Sequence, residues 1–509
     1  MKKVQLFILA FAVVCGAAQY DVSMSETNNS NWGKTFLLKN DLCTLSIIPN
    51  VGGRIMSYCL GSHSFLRVVP DAPKGGLSSA GQFDGGGFMT WPAPQVIWNW
   101  PPPPYLAHGP YGVTVISNTA DSVVISLASE TEKFSDAAGL VFRKIYTFYK
   151  ATSRVKVDVR LINKGSSSKT WSIREVAQVW ATHTGKSDYS NFRAFFPKGT
   201  STQDGSQGFW NTNGASQPDL SSMFRIDSSA GVVNFRYNNL DPKRSRIATH
   251  PTNQWLAYQD SLEGYTFVQQ GEYQPSATYP EYNGAVIIMY LDTWLEMELC
   301  APQKLISFND SLQFVTNWYA TKLAGPVRSV NKAGIVKNFL AVNTSSSALT
   351  GTYGVFYQGV VKIWFDGQSK AAKEIPVSPL TTWTLNDSVA IPNSSGAVSL
   401  LLYNSDGILI DTLDSKKFRT VGTIRPTSSP VSQRFTVKVL NSKLMLDFPE
   451  AGSANLRVTS LQGKTLINAD FTRGNYEPVD LTRLSKGTYL VTLESGIRRY
   501  TSSFQIFSR

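Results

Sequence analysis

The chain has 509 residues, 42% of them hydrophobic and only 17% charged, with Gly 38, Pro 25 and Cys 4. These proportions exclude a disordered, collagen-like, coiled-coil or cysteine-built chain. The net charge is +12, of which +9 falls from Pro326 onward; it is dispersed, without a basic block or aromatic stripe, which argues against a nucleic-acid partner and for a solvated surface or attraction to an acidic envelope or polysaccharide.

Met1-Lys2-Lys3 followed by the apolar run Val4 to Val14 and the small residues Gly16-Ala17-Ala18 reads as a secretory signal peptide over 1–18. Cys15 raises a lipid anchor as an alternative, but Val14 stands where a lipobox has a small residue. No apolar run is long enough to span a bilayer as a helix, so no transmembrane segment is expected.

From there nearly every segment reads as strand: short runs rich in Val, Ile, Thr, Tyr and Phe, bounded by Gly, Asn, Asp or Ser. Leu42 to Ile48 alternates, Pro49 to Gly53 is a turn, and Arg54 to Leu60 returns as a second strand. The midpoint of Cys43 and Cys59 falls inside that turn, so they would face each other, as a disulfide or as two buried thiols. The fold expected is all-β: a large antiparallel β-supersandwich followed by two small β-sandwich domains. The expected divisions are 33–323 for the large domain, 326–420 for a small sandwich, 421–433 for a Pro/Ser/Thr linker and 434–509 for the last domain.

Gly85 to Tyr111, GGGFMTWPAPQVIWNWPPPPYLAHGPY, is expected to be neither helix nor central strand. A proline-stiffened loop holding Trp91, Trp98 and Trp100 makes a sugar platform, because pyranose C–H faces stack on indole and proline lowers the cost of ordering. His108, beside Tyr105 and Tyr111, is a further candidate contact. Glu296 and Glu298 stand two apart on one strand and share a face. A glycosidase dyad normally comes from separate strands, which favours a binding or structural role for this pair. No Cys/His spacing resembles a metal site, and no nucleotide or cofactor motif is present; neither metal nor cofactor is expected.

LCTLSIIPNVGGRIMSYCL (Leu42 to Leu60) and LEMELCAPQKLISFNDSLQFVTNWY (Leu295 to Tyr319) resemble the opening hairpin and closing strands of galactose-mutarotase-like (aldose 1-epimerase-like) proteins. The run leading to WPAPQ and WPPPP resembles a subgroup of that superfamily of unknown function. The resemblance implies a β-supersandwich binding carbohydrate on its concave face. Arg54, Tyr282 and Glu298 would then join Trp91, Trp98, Trp100 and His108 as ligand contacts. Mutarotation needs a base for the anomeric hydroxyl and an acid for the ring oxygen. The family's usual His is replaced in TWSIREVAQVWATH by Glu175 or Gln178, with His183 later, and its late Glu falls to Glu263 or Glu272. His183 and Glu272 are the catalytic candidates.

The C-terminal segments LRVTSLQG (Leu456 to Gly463) and LTRLSKGTYLVTL (Leu481 to Leu493) resemble the type IX secretion sorting domain. With the signal peptide, that implies export through the outer-membrane secretion machinery. The sequence therefore points to a secreted or cell-surface carbohydrate-binding protein. The alternative is a carbohydrate-active enzyme: a sugar epimerase, or less readily a polysaccharide lyase or glycoside hydrolase.

Overall fold

The computed structural model describes residues 21–69, 85–134, 136–183, 187–212, 223–236, 245–281, 283–290, 293–392, 395–419, 436–440, 443–447, 453–461, 463–472, 478–495 and 498–506. Residues 1–18 and 421–433, read from the sequence as a signal peptide and a linker, lie outside them. The chain divides into two compact units, residues 1–421 and 422–509.

The first unit is built on two large antiparallel sheets. The first runs Ser23–Asn29, Gly33–Lys39, Cys43–Ile48, Arg54–Leu60, Phe88–Ala93, Lys169–Trp180, Trp294–Cys300, Val286–Tyr290, Ser245–Thr249, Trp210–Asn211. The second runs Phe224–Asp227, Val232–Phe235, Phe192–Pro197, Trp255–Asp260, Tyr265–Gln270, Ser311–Thr321, Val155–Asn163, Leu140–Tyr149, Ser122–Ser129, Tyr111–Asn118. Period-two alternation decides which residues lie between them: along Leu140–Tyr149, Leu140, Phe142, Lys144, Tyr146 and Phe148 are buried and the residues between them are more exposed. The all-β architecture is the one expected.

The outer face of the second sheet is covered by a smaller sandwich. Its two sheets are Ser329–Val330, Gly334–Asn343, Ala348–Val355, Trp383–Ser388 and Lys373–Val377, Gly359–Phe365, Ser395–Asn404, Leu409–Arg419. Trp255, Ala257, Val268 and Tyr319 from the large sheet join its core, and Tyr319 stacks on Phe356 at 4.4 Å. The second unit has its own core of Leu444, Leu456, Val458, Leu481, Tyr489, Val491, Leu493 and Phe504, five of which lie on the strands Ser453–Ser460 and Gly487–Ser495 that carry the C-terminal motifs.

Two expectations are corrected. Cys43 pairs with Leu60 and Thr44 with Cys59, so the two cysteines point to opposite faces; both are free, as is Cys300. A one-residue bulge at Met56 shifts the register, and a shift of one residue reverses every side chain beyond it. Phe88–Ala93, inside the Gly/Pro-rich run, is a central strand. It tolerates Pro92 because its pairing with Arg54–Leu60 is confined to Ile55 and Phe88, leaving that side of Pro92 free of ladder bonds. The same run also holds one helical turn, Pro104–Ala107, entered through proline at its first position.

The turn Gly52-Gly53 joins the layers. Both residues are left-handed, at φ 64° and 57°, and their carbonyl oxygens accept hydrogen bonds from Lys144 Nζ at 2.7 Å and Tyr146 Oη at 2.9 Å, side chains of the facing sheet. A Cβ on Gly52 would run into the Ala107 carbonyl, whereas one on Gly231, at φ 65°, meets nothing within 4 Å. Gly231→Ala should cost about 1 kcal/mol of backbone strain, and Gly52→Ala roughly 2–5 kcal/mol because overpacking is added. Urea unfolding of the two variants checks this; equal losses would show that the Ala107 turn yields freely.

Candidate functional site

The Lys169–Trp180 strand sorts its side chains into two chemically distinct sets. Trp171, Ile173, Glu175, Ala177 and Val179 point between the sheets, opposite Pro92, Thr90, Phe88, Leu299, Met297 and Leu295. Arg174, Val176 and Gln178 point outward, opposite Trp91, Met89, Cys300, Glu298 and Glu296. Glu296 and Glu298 thus share a face, as their spacing required. Of the two residues near the position of the family's histidine, Gln178 belongs to the outer face. Glu175 belongs to the interior, where it accepts a hydrogen bond from Thr316 at 2.8 Å. Burial pushes Glu175 up to about 8, against the pull of Thr316 and Lys144.

Arg174 is the centre of the outer group. It is 1% exposed, and its guanidinium lies 4.7 Å from the Trp91 ring centroid. One NH₂ donates to Gln95 Oε1 at 3.0 Å; the other lies 3.6 Å from Glu281 and 3.7 Å from Glu298. Glu281 is held in turn by the Gln95 N–H at 2.5 Å. A second chain runs beside it: Arg67 donates to Gln178 Oε1 at 2.8 Å, and Gln178 donates to Glu296 at 2.9 Å. The Arg67 guanidinium lies 4.0 Å from the Trp294 centroid. Several buried atoms here have no hydrogen-bond partner among the described residues: both Glu298 carboxylate oxygens, Arg174 Nε and the NH₂ near the glutamates, and Trp91 Nε1.

Burial pushes Glu298 up to about 7; Arg174 and Arg246 oppose the rise, while Glu296 and Glu281 add to it. The carboxyl therefore holds a proton more readily than an ordinary glutamate, beside the Arg174 guanidinium, whose carboxylate neighbours outweigh burial and favour its charged form.

The loop over this face places the three expected tryptophans differently. Trp91 is buried beneath Arg174, with Trp98 and Trp100 edge-on at 6.1 and 6.2 Å. Trp98 is buried, its N–H donated to the Pro92 carbonyl at 2.8 Å. Trp100 is 60% exposed, with Val96, at 76%, in the same loop. Buried Glu132 anchors the loop's helical turn, accepting from the Tyr105 and Leu106 N–H groups at 3.0 and 3.4 Å. Nothing local in the sequence marked Glu132 for that role.

The remaining candidates lie elsewhere. Arg54, fully buried, donates to the Gly86 carbonyl and faces His108 Nδ1 at 3.5 Å; the arginine beside Glu298 is Arg174. Burial, with Arg54 adding, pushes His108 down to about 3, so the ring stays neutral. His183 lies 2.5 Å from Asp188 and 3.3 Å from Asp260. Burial opposes its charge, but the two carboxylates outweigh it and raise its pKa. Glu272 is exposed. Among the described residues, no hydrogen bond or ion pair joins either catalytic candidate to the Arg174 group. Tyr282 lies outside the described residues. Arg174, Gln178, Glu281 and Arg67 were missed as contacts, because a single Arg or Gln within a strand carries no pattern until its cross-strand partners are known.

Comparison with known proteins bears first on the chain's end. Residues 429–506 match the family model described as the secretion system C-terminal sorting domain. The chain thus carries the export tail its last motifs implied, which indicates a surface or secreted location. No curated protein matches the chain. Among solved structures it is similar to a galactose mutarotase-like protein from Clostridium acetobutylicum, at 12% identity over 60% of this chain and 99% of that one, TM-score 0.41. It is also similar to a galactose mutarotase-like protein from Lactobacillus casei, at 9% identity over 56% and 99%, TM-score 0.35. A third is a TPR-domain containing protein from Parabacteroides distasonis, at 11% identity over 58% of this chain, TM-score 0.41; the chain spans about half, 48%, of that protein. Among the described residues no helix is long and apolar enough to cross a membrane.

The Glu298 environment fixes a pH dependence. Its folded value, about 7, lies above the ordinary 4.5, so between these values the folded chain keeps a proton that the unfolded chain releases. The associated stability is present below about 4.5 and is lost as pH rises through about 7, by on the order of a few kcal/mol. Glu298→Gln should remove that loss, so urea unfolding between pH 5 and 8 should show the variant gaining on the native chain as pH rises. A variant that instead falls behind as pH rises would mean that the ionised carboxylate is firmly paired.

Proposed function

We propose that the outer face of the first sheet binds carbohydrate and that the chain is an exported, surface-held or released sugar-binding protein. The observation that carries this is the set of buried polar atoms on Arg174, Glu298 and Trp91 that have no hydrogen-bond partner among the described residues, the ion pairs of Arg174 being no shorter than 3.6 Å. Leaving a buried donor or acceptor without a partner costs about 1–3 kcal/mol each. A cluster of such groups is expected where a ligand or ordered water supplies the partners. Sugar hydroxyls both donate and accept, so one ring can serve guanidinium and carboxylate groups together. Arg67 and Arg174 stand against Glu281, Glu296 and Glu298, so the site lacks the one-sided charge that would select an ionic ligand. Trp100 supplies the exposed ring on which the apolar face of a pyranose can lie. The signal peptide read at 1–18 and the sorting tail supply the route out of the cell.

Glu298 favours a second reading. A carboxyl with a value of about 7 is suited to proton transfer at neutral pH. In an epimerase it would take the proton of the anomeric hydroxyl as the bond from the anomeric carbon to the ring oxygen breaks and give it back as the ring recloses, and the buried guanidinium of Arg174 would stabilise the charge developing on the ring oxygen.

One set of measurements separates these readings. Trp100→Ala should weaken glycan binding about tenfold, or 1.4 kcal/mol, with an unchanged melting temperature, because the ring lies on the surface. Calorimetry with mono- and oligosaccharides checks it; undiminished affinity would remove Trp100 from the site. Glu298→Gln should retain binding. If NMR shows that it abolishes anomeric exchange catalysed by the native protein, the chain is an enzyme; if the native protein catalyses no exchange, it is a binding protein.

Deleting residues 429–509 should leave the chain in the periplasm of a cell with the secretion system. Immunoblotting of cell fractions reads this, and normal appearance of the truncated chain in the medium would contradict an export role for the tail.

A further inference from the structure

Away from the proposed sugar site, the structure gathers chemically distinctive side chains at an edge where the two large sheets meet. His63 comes from the short strand His63–Ser64 of the first sheet. Asp260 ends the strand Trp255–Asp260 of the second sheet, and Glu263 sits in the turn that follows. One ligand atom from each lies within 4.8 Å of the others. Two tetrahedral ligands of a single ion bound at about 2.0–2.2 Å stand roughly 3.5 Å apart, so the three atoms must adjust by about 1 Å to share an ion. Glu263, whose side chain is 52% exposed, is free to make that adjustment.

Each of the three is oriented beforehand. The His63 ring stacks on Tyr265 at 4.4 Å with a 6° interplanar angle and meets the Phe65 ring edge-on at 4.8 Å. Its Nδ1 lies 2.7 Å from Glu263 Oε2, and its buried Nε2 has no hydrogen-bond partner among the described residues. Asp260 is 2% exposed. Its Oδ1 accepts the N–H groups of Leu262 and Glu263 at 2.9 and 3.2 Å, and its Oδ2 faces His183 Nε2 at 3.3 Å. His183 is in turn fixed by Asp188, which accepts from Thr182 Oγ1 at 2.6 Å and the His183 N–H at 2.9 Å. A carboxylate behind a histidine behind a ligand is the outer arrangement that orients metal sites.

We propose that His63, Asp260 and Glu263 bind a divalent transition-metal ion of the zinc class, which ties the two sheets together. One imidazole with two carboxylates suits zinc better than calcium, which takes oxygen ligands only. The three ligands leave room for water, and the exposed Glu263 gives the ion a way in. His183 and Asp188 are positioning residues that hold Asp260. About 200 residues separate His63 from the other two ligands, so no short spacing motif exists to betray the site.

The test uses the untagged exported chain, residues 19–509, stripped with a chelator and titrated with Zn²⁺ alone by calorimetry and thermal melting. Expected are one ion per chain and a melting temperature that rises with zinc. Glu263→Ala, a substitution in an exposed turn, should weaken binding at least about tenfold and remove the thermal response. Asp188→Asn should weaken it roughly ten- to a hundredfold. Absence of zinc binding by the native chain, or undiminished binding by Glu263→Ala, overturns the proposal. A thermal response to Ca²⁺ equal to that with Zn²⁺ overturns the choice of ion. The readouts use no sugar, so their failure leaves the sugar-site reading standing, and the reverse.

Discussion

The buried guanidinium of Arg174 is the constraint to which the first sheet's outer face is fitted. A full positive charge with 1% exposure persists only where opposite charge and hydrogen-bond acceptors surround it. Gln95 and Glu281 reach it from loops, Glu298 from the next strand, and Trp91 lies against it from the other neighbour. These partners come from three separate stretches of chain, around residues 91–95, 281 and 298, so the group exists only when the central strands are in register. The same register places Glu175 on the opposite side of the strand, in the interior with Thr316. One alternation therefore divides the charged residues of a single strand between an internal polar seam and the sheet's outer face.

The two large sheets have unequal outer faces. The second sheet's face takes part in the small sandwich's core, through Trp255, Val268 and Tyr319. The first sheet's face carries Arg174, Gln178, Glu296 and Glu298, with the Pro-rich loop beside them. Proline and tryptophan in that loop serve two purposes. Trp98 closes on the Pro92 carbonyl and fixes the loop's path, while Trp100 remains in solvent. A rigid loop with one exposed ring loses little entropy on binding.

Much of the scaffold was legible in the sequence because strand alternation is a local property. The hairpin Cys43–Ile48 to Arg54–Leu60 and the shared face of Glu296 and Glu298 follow from period two alone. The facing of Cys43 and Cys59 did not follow, since the bulge at Met56 reverses the register without an evident residue signal. Phe88–Ala93 was misread as loop because Pro92 is excluded from a central strand only when both neighbours pair at that residue. The candidate site was legible in part. Trp91 and Glu298 stand in unusual local sequences, whereas Arg174 and Gln178 acquire meaning only across strands. Arg54 and His108, adjacent to conspicuous motifs, pair with each other beside Gly86.

The central claim is that the Arg174–Glu298 group takes part in sugar binding and is not a closed structural salt bridge. The most direct measurement is a crystal structure of the exported chain soaked with a glycan that it retains in an affinity screen. The account predicts a pyranose against Trp100, with hydroxyl groups within hydrogen-bond distance of Glu298 and the Arg174 guanidinium. A glycan bound elsewhere, with Glu298 and Arg174 joined directly by hydrogen bonds, would contradict it.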